Sequence, residues 1–65
     1  MLVAGDHMGN IWVFDYKSKD VLATLKAHND RITGISIIAN NDIVTCSKES
    51  FINVFRFTGG GLTKL

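Results

Sequence analysis

The sequence predicts an all-β protein built of short antiparallel strands. Three observations predict it. Apolar residues recur with a period of two, most clearly over residues 10–16 and 51–57. The connections between such runs are a few polar residues each, too short for the crossover that parallel neighbours need. The chain also repeats itself: residues 2–16 lie over residues 43–57 at a constant offset of 41, without a gap.

Each element has its own justification. Residues 1–5 form a first short strand, stopped by the turn Asp6-His7-Met8-Gly9, where glycine permits a tight bend. Residues 10–16 alternate Ile11 and Val13 on one face with Trp12, Phe14 and Tyr16 on the other. A polar stretch follows to Asp20, then a third strand over residues 21–25. Val21 and Leu25 also stand at helical spacing, but β-branched Val21 and Thr24 and the flanking turns favour a strand. His28-Asn29-Asp30 is the next polar connection, and residues 31–38 the fourth strand. Asn40-Asn41-Asp42 suits positive φ or an Asx turn. Residues 42–47 and 51–57 are the fifth and sixth strands, the latter alternating Ile52 and Val54 with Phe51, Phe55 and Phe57. Gly59-Gly60-Gly61 is either a loop leading to a last strand over residues 62–65 or the start of a frayed tail. No proline interrupts any of these runs.

The matches within the repeat are mostly apolar. Val3/Val44, Ile11/Ile52, Val13/Val54 and Phe14/Phe55 are identical, and Leu2/Ile43 and Tyr16/Phe57 are similar. The strands are therefore apolar on both faces, which calls for cover on both faces. Phe14 and Phe55 are both expected to be buried.

Composition narrows the function. Sixty-five residues allow one domain at most, and a chain this short is marginally stable unless something staples it. The single cysteine, Cys46, excludes an intrachain disulfide, and there is no Cys/His cluster for zinc. A hydrophobic fraction of 46% excludes a disordered tail. The net charge of +1 is spread along the chain, against the clustered basic face that nucleic-acid binding requires. No apolar run approaches the roughly 20 residues of a membrane span, and no signal peptide is visible. The expected setting is intracellular, cytoplasmic or nuclear, which the lone thiol fits.

A run of short antiparallel strands repeating at this period resembles the WD40 β-propeller family. Ala4-Gly5-Asp6-His7-Met8-Gly9-Asn10-Ile11-Trp12-Val13-Phe14-Asp15 resembles its strand b, turn and strand c. Residues 21–25 with Lys26-Ala27-His28 resemble strand d and the Gly-His step, and residues 31–38 resemble strand a of a next blade. The resemblance covers the chain to about Phe57. It implies a single partial propeller segment over residues 1–65, in strand order b-c-d-a-b-c with residues 62–65 open as a second d. Residues 1–25 would belong to one blade, and residues 31–65 would make most of the next. It also implies a structural hydrogen-bonded set at His28, Thr45, Glu49 and Phe55. That set is degenerate: Glu49 is a longer carboxylate than the family's Asp, and Phe55 has no N–H to donate. In the first unit Met8 and Phe14 stand at the places of the Asp and the Trp, and Ala27 replaces the Gly of Gly-His.

No residue is expected to be catalytic, to hold a cofactor or to bind a metal. His28 reads as a turn anchor donating to a carboxylate rather than as an acid–base group. His7 beside Asp6 is half a metal site at most. Cys46 reads as a buried, inert thiol, and the glycines lack the Lys-Ser/Thr ending of a phosphate loop. Trp12 stays open as a partner anchor, because its counterpart in the second unit is polar Asn53. The leading expectation is a non-enzymatic protein–protein interaction or scaffold module, partnered by another protein, by further blades or by copies of itself. The alternatives are a ribonucleoprotein or nucleic-acid-associated subunit, drawing on Lys17, Lys19, Lys26 and Arg31, or a fragment with no independent function.

Overall fold

The computed structural model describes residues 1–38, 41–59 and 61–65. Asn40, from the expected 40–42 turn, and Gly60, in the middle of the expected glycine joint, lie outside the described residues. The chain folds as seven strands: β1 (Leu2–Gly5), β2 (Asn10–Phe14), β3 (Val21–Lys26), β4 (Ile32–Ile38), β5 (Asp42–Ser47), β6 (Ile52–Thr58) and β7 (Gly61–Lys64). Neighbours in sequence pair antiparallel throughout, giving a three-stranded sheet β1-β2-β3 and a four-stranded sheet β4-β5-β6-β7. The last segment is thus a strand, with Phe57 opposite Leu62.

The 41-residue repeat is kept in the strand register. Leu2↔Phe14, Val3↔Val13, Ala4↔Trp12 and Gly5↔Ile11 pair in the first sheet. Ile43↔Phe55, Val44↔Val54, Thr45↔Asn53 and Cys46↔Ile52 pair in the second. Each pair of the second set is one of the first with 41 added. The correspondence ends at the next strand. A β-bulge between Val13 and Phe14 and a six-residue connection (15–20) bring Val21 opposite Phe14. The shorter link after β6 instead brings Lys64 opposite Phe55.

One face of each sheet is buried. Ile11 and Val13 are fully buried on β2, with Ile43, Thr45 and Phe55 buried on the second sheet. The sheets meet with β1 beside β4 and β3 beside β7. The contact is close where Gly5 lies under Ile32: a Cβ at Gly5 would fall 2.6 Å from the Cβ of Ile32. A bulge between Ile32 and Gly34 sets Ile32 off from the regular ladder at this point.

The other face of each sheet is turned outward, and this corrects three expectations. Phe55 is 2% exposed, but Phe14, its repeat equivalent, is only half-buried, because equivalent residues lie on opposite sides of the inter-sheet junction. Cys46 is half-buried rather than buried, sharing the outward face of the second sheet with Val44. Tyr16 and Phe51 lie outside the strands and are exposed. At Tyr16 the cause is Asp15, whose Oδ1 accepts the Lys17 and Ser18 amides at 2.8 and 3.0 Å and turns the chain. No helix among the described residues is long and apolar enough to cross a membrane.

Candidate functional site: the loop cluster joining the sheets

Three loops converge where the two sheets join: residues 6–9, residues 27–31 and residues 48–51. The first is organised by Asp6. Its Oδ1 accepts the backbone amides of Met8 and Asn10, both at 2.9 Å. Its Oδ2 accepts the Asn10 side-chain amide at 3.2 Å and the Trp12 indole N–H at 3.0 Å. These donors hold the Asp6 carboxyl far below the usual carboxylate range, the Trp12 N–H contributing most and the Asn10 amide next. Its own carbonyl accepts the Ile32 amide at 3.1 Å, so the turn also reaches the second sheet.

Gly9 closes the turn at φ 90°, a left-handed conformation that glycine adopts without strain. Its carbonyl accepts the amides of Ala27 and His28 at 2.9 and 3.1 Å. A Cβ there would fall 2.0 Å from the His28 carbonyl oxygen, so the two loops approach this closely only because residue 9 is glycine.

His28 enters the junction from the second loop and is buried. Its Nε2 lies 2.9 Å from Thr45 Oγ1, and its Nδ1 faces Glu49 Oε1 at 3.4 Å. Asn53 Nδ2 stands 3.5 Å from the same Nδ1, so both ring nitrogens of His28 have polar neighbours on the second sheet. Glu49 Oε1 accepts the Asn29 amide at 3.0 Å, and the Arg31 carbonyl accepts the Lys48 amide at 3.1 Å. Asn53 donates its side-chain amide to the Ala27 carbonyl at 2.8 Å. The residue 27–31 loop is therefore clipped to the first sheet through Gly9 and to the second through Thr45, Glu49 and Asn53.

Thr45, His28 and Glu49 stand in the order of a nucleophile, a base and an orienting carboxylate. The hydroxyl is fully buried between the sheets. It presents no attacking atom to a substrate in solution, and each of the three groups is spent on holding the loop. Beside them an open recess of about 320 Å³ is bordered by Lys26, Asn29, Glu49, Phe51 and Lys64. A second depression, about 300 Å³ and mostly apolar, lies on the outward face of the second sheet, with Gly34, Val44, Cys46 and Ile52 in its wall.

Of the residues singled out in the sequence, the structure brings His28, Thr45 and Glu49 together. Phe55 is apart from their hydrogen bonds and serves the core beside them. Trp12 is half-buried on the outward face of the first sheet with its N–H taken by Asp6. His7 is exposed, and among the described residues no three His, Cys, Asp or Glu side chains gather as a metal site. The sequence reading passed over Asp6, Asn29 and Asn53 as members of the cluster. The signal for Asp6 is the spacing Asp6-Asn10-Trp12, which a tight turn folds into one acceptor and its donors. No family model, no curated protein and no solved structure matches the chain.

Proposed function

We propose that the chain is a non-enzymatic protein–protein interaction module, two adjoining sheets of a WD40-type propeller that binds through its outward sheet faces. One observation carries the reading. The sheets pair repeat-equivalent positions in the same register, yet only one face of each is covered. The faces left open hold large apolar side chains: Ile52 is 70% exposed on the second sheet, and Leu2 and Val21 are exposed on the first. Apolar area of this kind on a soluble chain marks an interaction surface. The polar cluster between the sheets supports the same reading, since its groups are consumed in fastening loops. A cytoplasmic or nuclear setting suits the unpaired thiol of Cys46.

The test places a photo-crosslinking residue at Ile52 in one variant and at Lys17, in an exposed loop, in another. The reading expects a discrete polypeptide adduct from position 52 and none from position 17. Equal adduct formation at the two positions, or none at either, contradicts it.

A further inference from the structure

We infer that the partner of the second sheet's outward face is the first sheet of another copy of this chain, docked head to tail. The inference rests on the interaction reading above and names its partner. It follows from how the repeat maps onto the one junction already formed.

In that junction the first sheet contributes the face of Val3, Gly5, Ile11 and Val13, and the second the face of Ile43, Thr45, Asn53 and Phe55. The outward face of the second sheet presents Val44, Cys46, Ile52 and Val54 at the places of the first of these sets. The outward face of the first sheet presents Leu2, Ala4, Trp12 and Phe14 at the places of the other. Each open face is thus the repeat equivalent of a buried one, and the two open faces are equivalents of surfaces that already fit each other. They differ from one another, so the contact is heterologous: one end of a copy meets the opposite end of the next, not its own kind.

The substitutions across the repeat suit an apolar junction. Thr45 and Asn53, which serve the polar clip inside the molecule, are matched by Ala4 and Trp12 on the open face. The indole N–H of Trp12 is already satisfied by Asp6, so its ring enters an apolar contact without stranding a donor. Phe14 takes the place of the buried Phe55, above Ile52 and Val54. Gly5 lies under Ile32 inside the molecule, and its equivalent Cys46 has a side chain. Cys46 lies over Gly34 of its own sheet, where a Cβ would meet its sulfur at 2.8 Å, so the larger residue has its space within the second sheet.

A heterologous contact can be tested by blocking opposite ends in separate chains. Ile52→Asp blocks the second sheet, and Leu2→Asp blocks the first. Val21→Asp serves as an independent block of the first sheet, because Val21 and Leu2 both stand opposite Phe14. The parent should gain mass with concentration in size-exclusion chromatography with light scattering. Each variant alone should remain monomeric with parent-like circular dichroism. An equimolar mixture of Ile52→Asp with either first-sheet variant should double the mass, since one intact end remains on each chain. A mixture of folded variants that stays monomeric overturns the inference, as does association of Ile52→Asp with itself. If a different polypeptide crosslinks from position 52 while the mixture stays monomeric, the copy is the wrong partner and the interaction reading stands. Absence of any adduct from that position removes the interaction reading as well.

Discussion

At the residue scale, the two phenylalanines of the repeat separate what alternation reveals from what it does not. Period two assigns Phe14 and Phe55 to equivalent faces of their sheets, but it does not tell which face the stacking covers. Stacking of like sheets buries opposite faces, so Phe55 is sealed and Phe14 is half open. Phe55→Ala should cost about 3–5 kcal/mol. A chain of this length has a total stability of only about 3–10 kcal/mol. The variant should therefore lose a large part of its stability, with a melting temperature by circular dichroism well below that of Phe14→Ala. Asp6 was hidden in the sequence for a different reason: its partners gather only when the turn closes. Trp12→Phe removes the donor that lowers the Asp6 pKa most, so that pKa should rise toward its ordinary value of 3.8, read by NMR titration of the carboxyl carbon.

The type and order of the first six strands were legible in the sequence, because short polar turns between period-two runs admit little else, whereas the glycine run left the seventh open. Their ends were less so. β2 stops at Phe14 because the Asp15 side chain captures the amides beyond it, a contact that hydrophobic periodicity does not register. The joining of the sheets depends on a loop approach that pattern alone does not reveal. Gly9→Ala forces a Cβ onto the His28 carbonyl at a positive φ. It should destabilise by well over the roughly 1 kcal/mol of an ordinary glycine replacement, measured by urea unfolding. Gly61→Ala, which meets only an ordinary contact at 3.9 Å to the Thr58 carbonyl oxygen, should change little by the same measure.

For the whole molecule, the radius of gyration of 10.9 Å is close to the roughly 10.7 Å expected of a compact chain this long. The compactness is achieved with a core that, among the described residues, has only Ile11, Val13, Ile43 and Phe55 as buried apolar side chains. Polar fastening therefore matters more than in a larger domain, and it sets the response to acid. The carboxyls of Asp6 and Asp42 are held below their ordinary value, Asp6 chiefly by the Trp12 N–H and Asp42 chiefly by hydrogen bonds from Arg56 at 2.8 and 3.0 Å. A lowered folded-state pKa adds stability that is complete above the unfolded value and is lost as pH falls through the folded one. The melting temperature should hold from neutral pH toward 5 and fall once the pH drops below about 3.8. Asp6→Asn should lower it at neutral pH and flatten part of that acid limb.

The outward faces are the centre of the account, and methyl and indole NMR shifts followed against protein concentration test them most directly. If those faces dock on one another between copies of this chain, the signals of Val44, Ile52 and Val54 should move together with the Trp12 indole as the concentration rises. Ile11, Val13 and Ile43, already enclosed between the sheets, should stay in place. Outward-face signals that do not move, or shifts that appear first among the enclosed residues, would contradict the docking of copies through these faces.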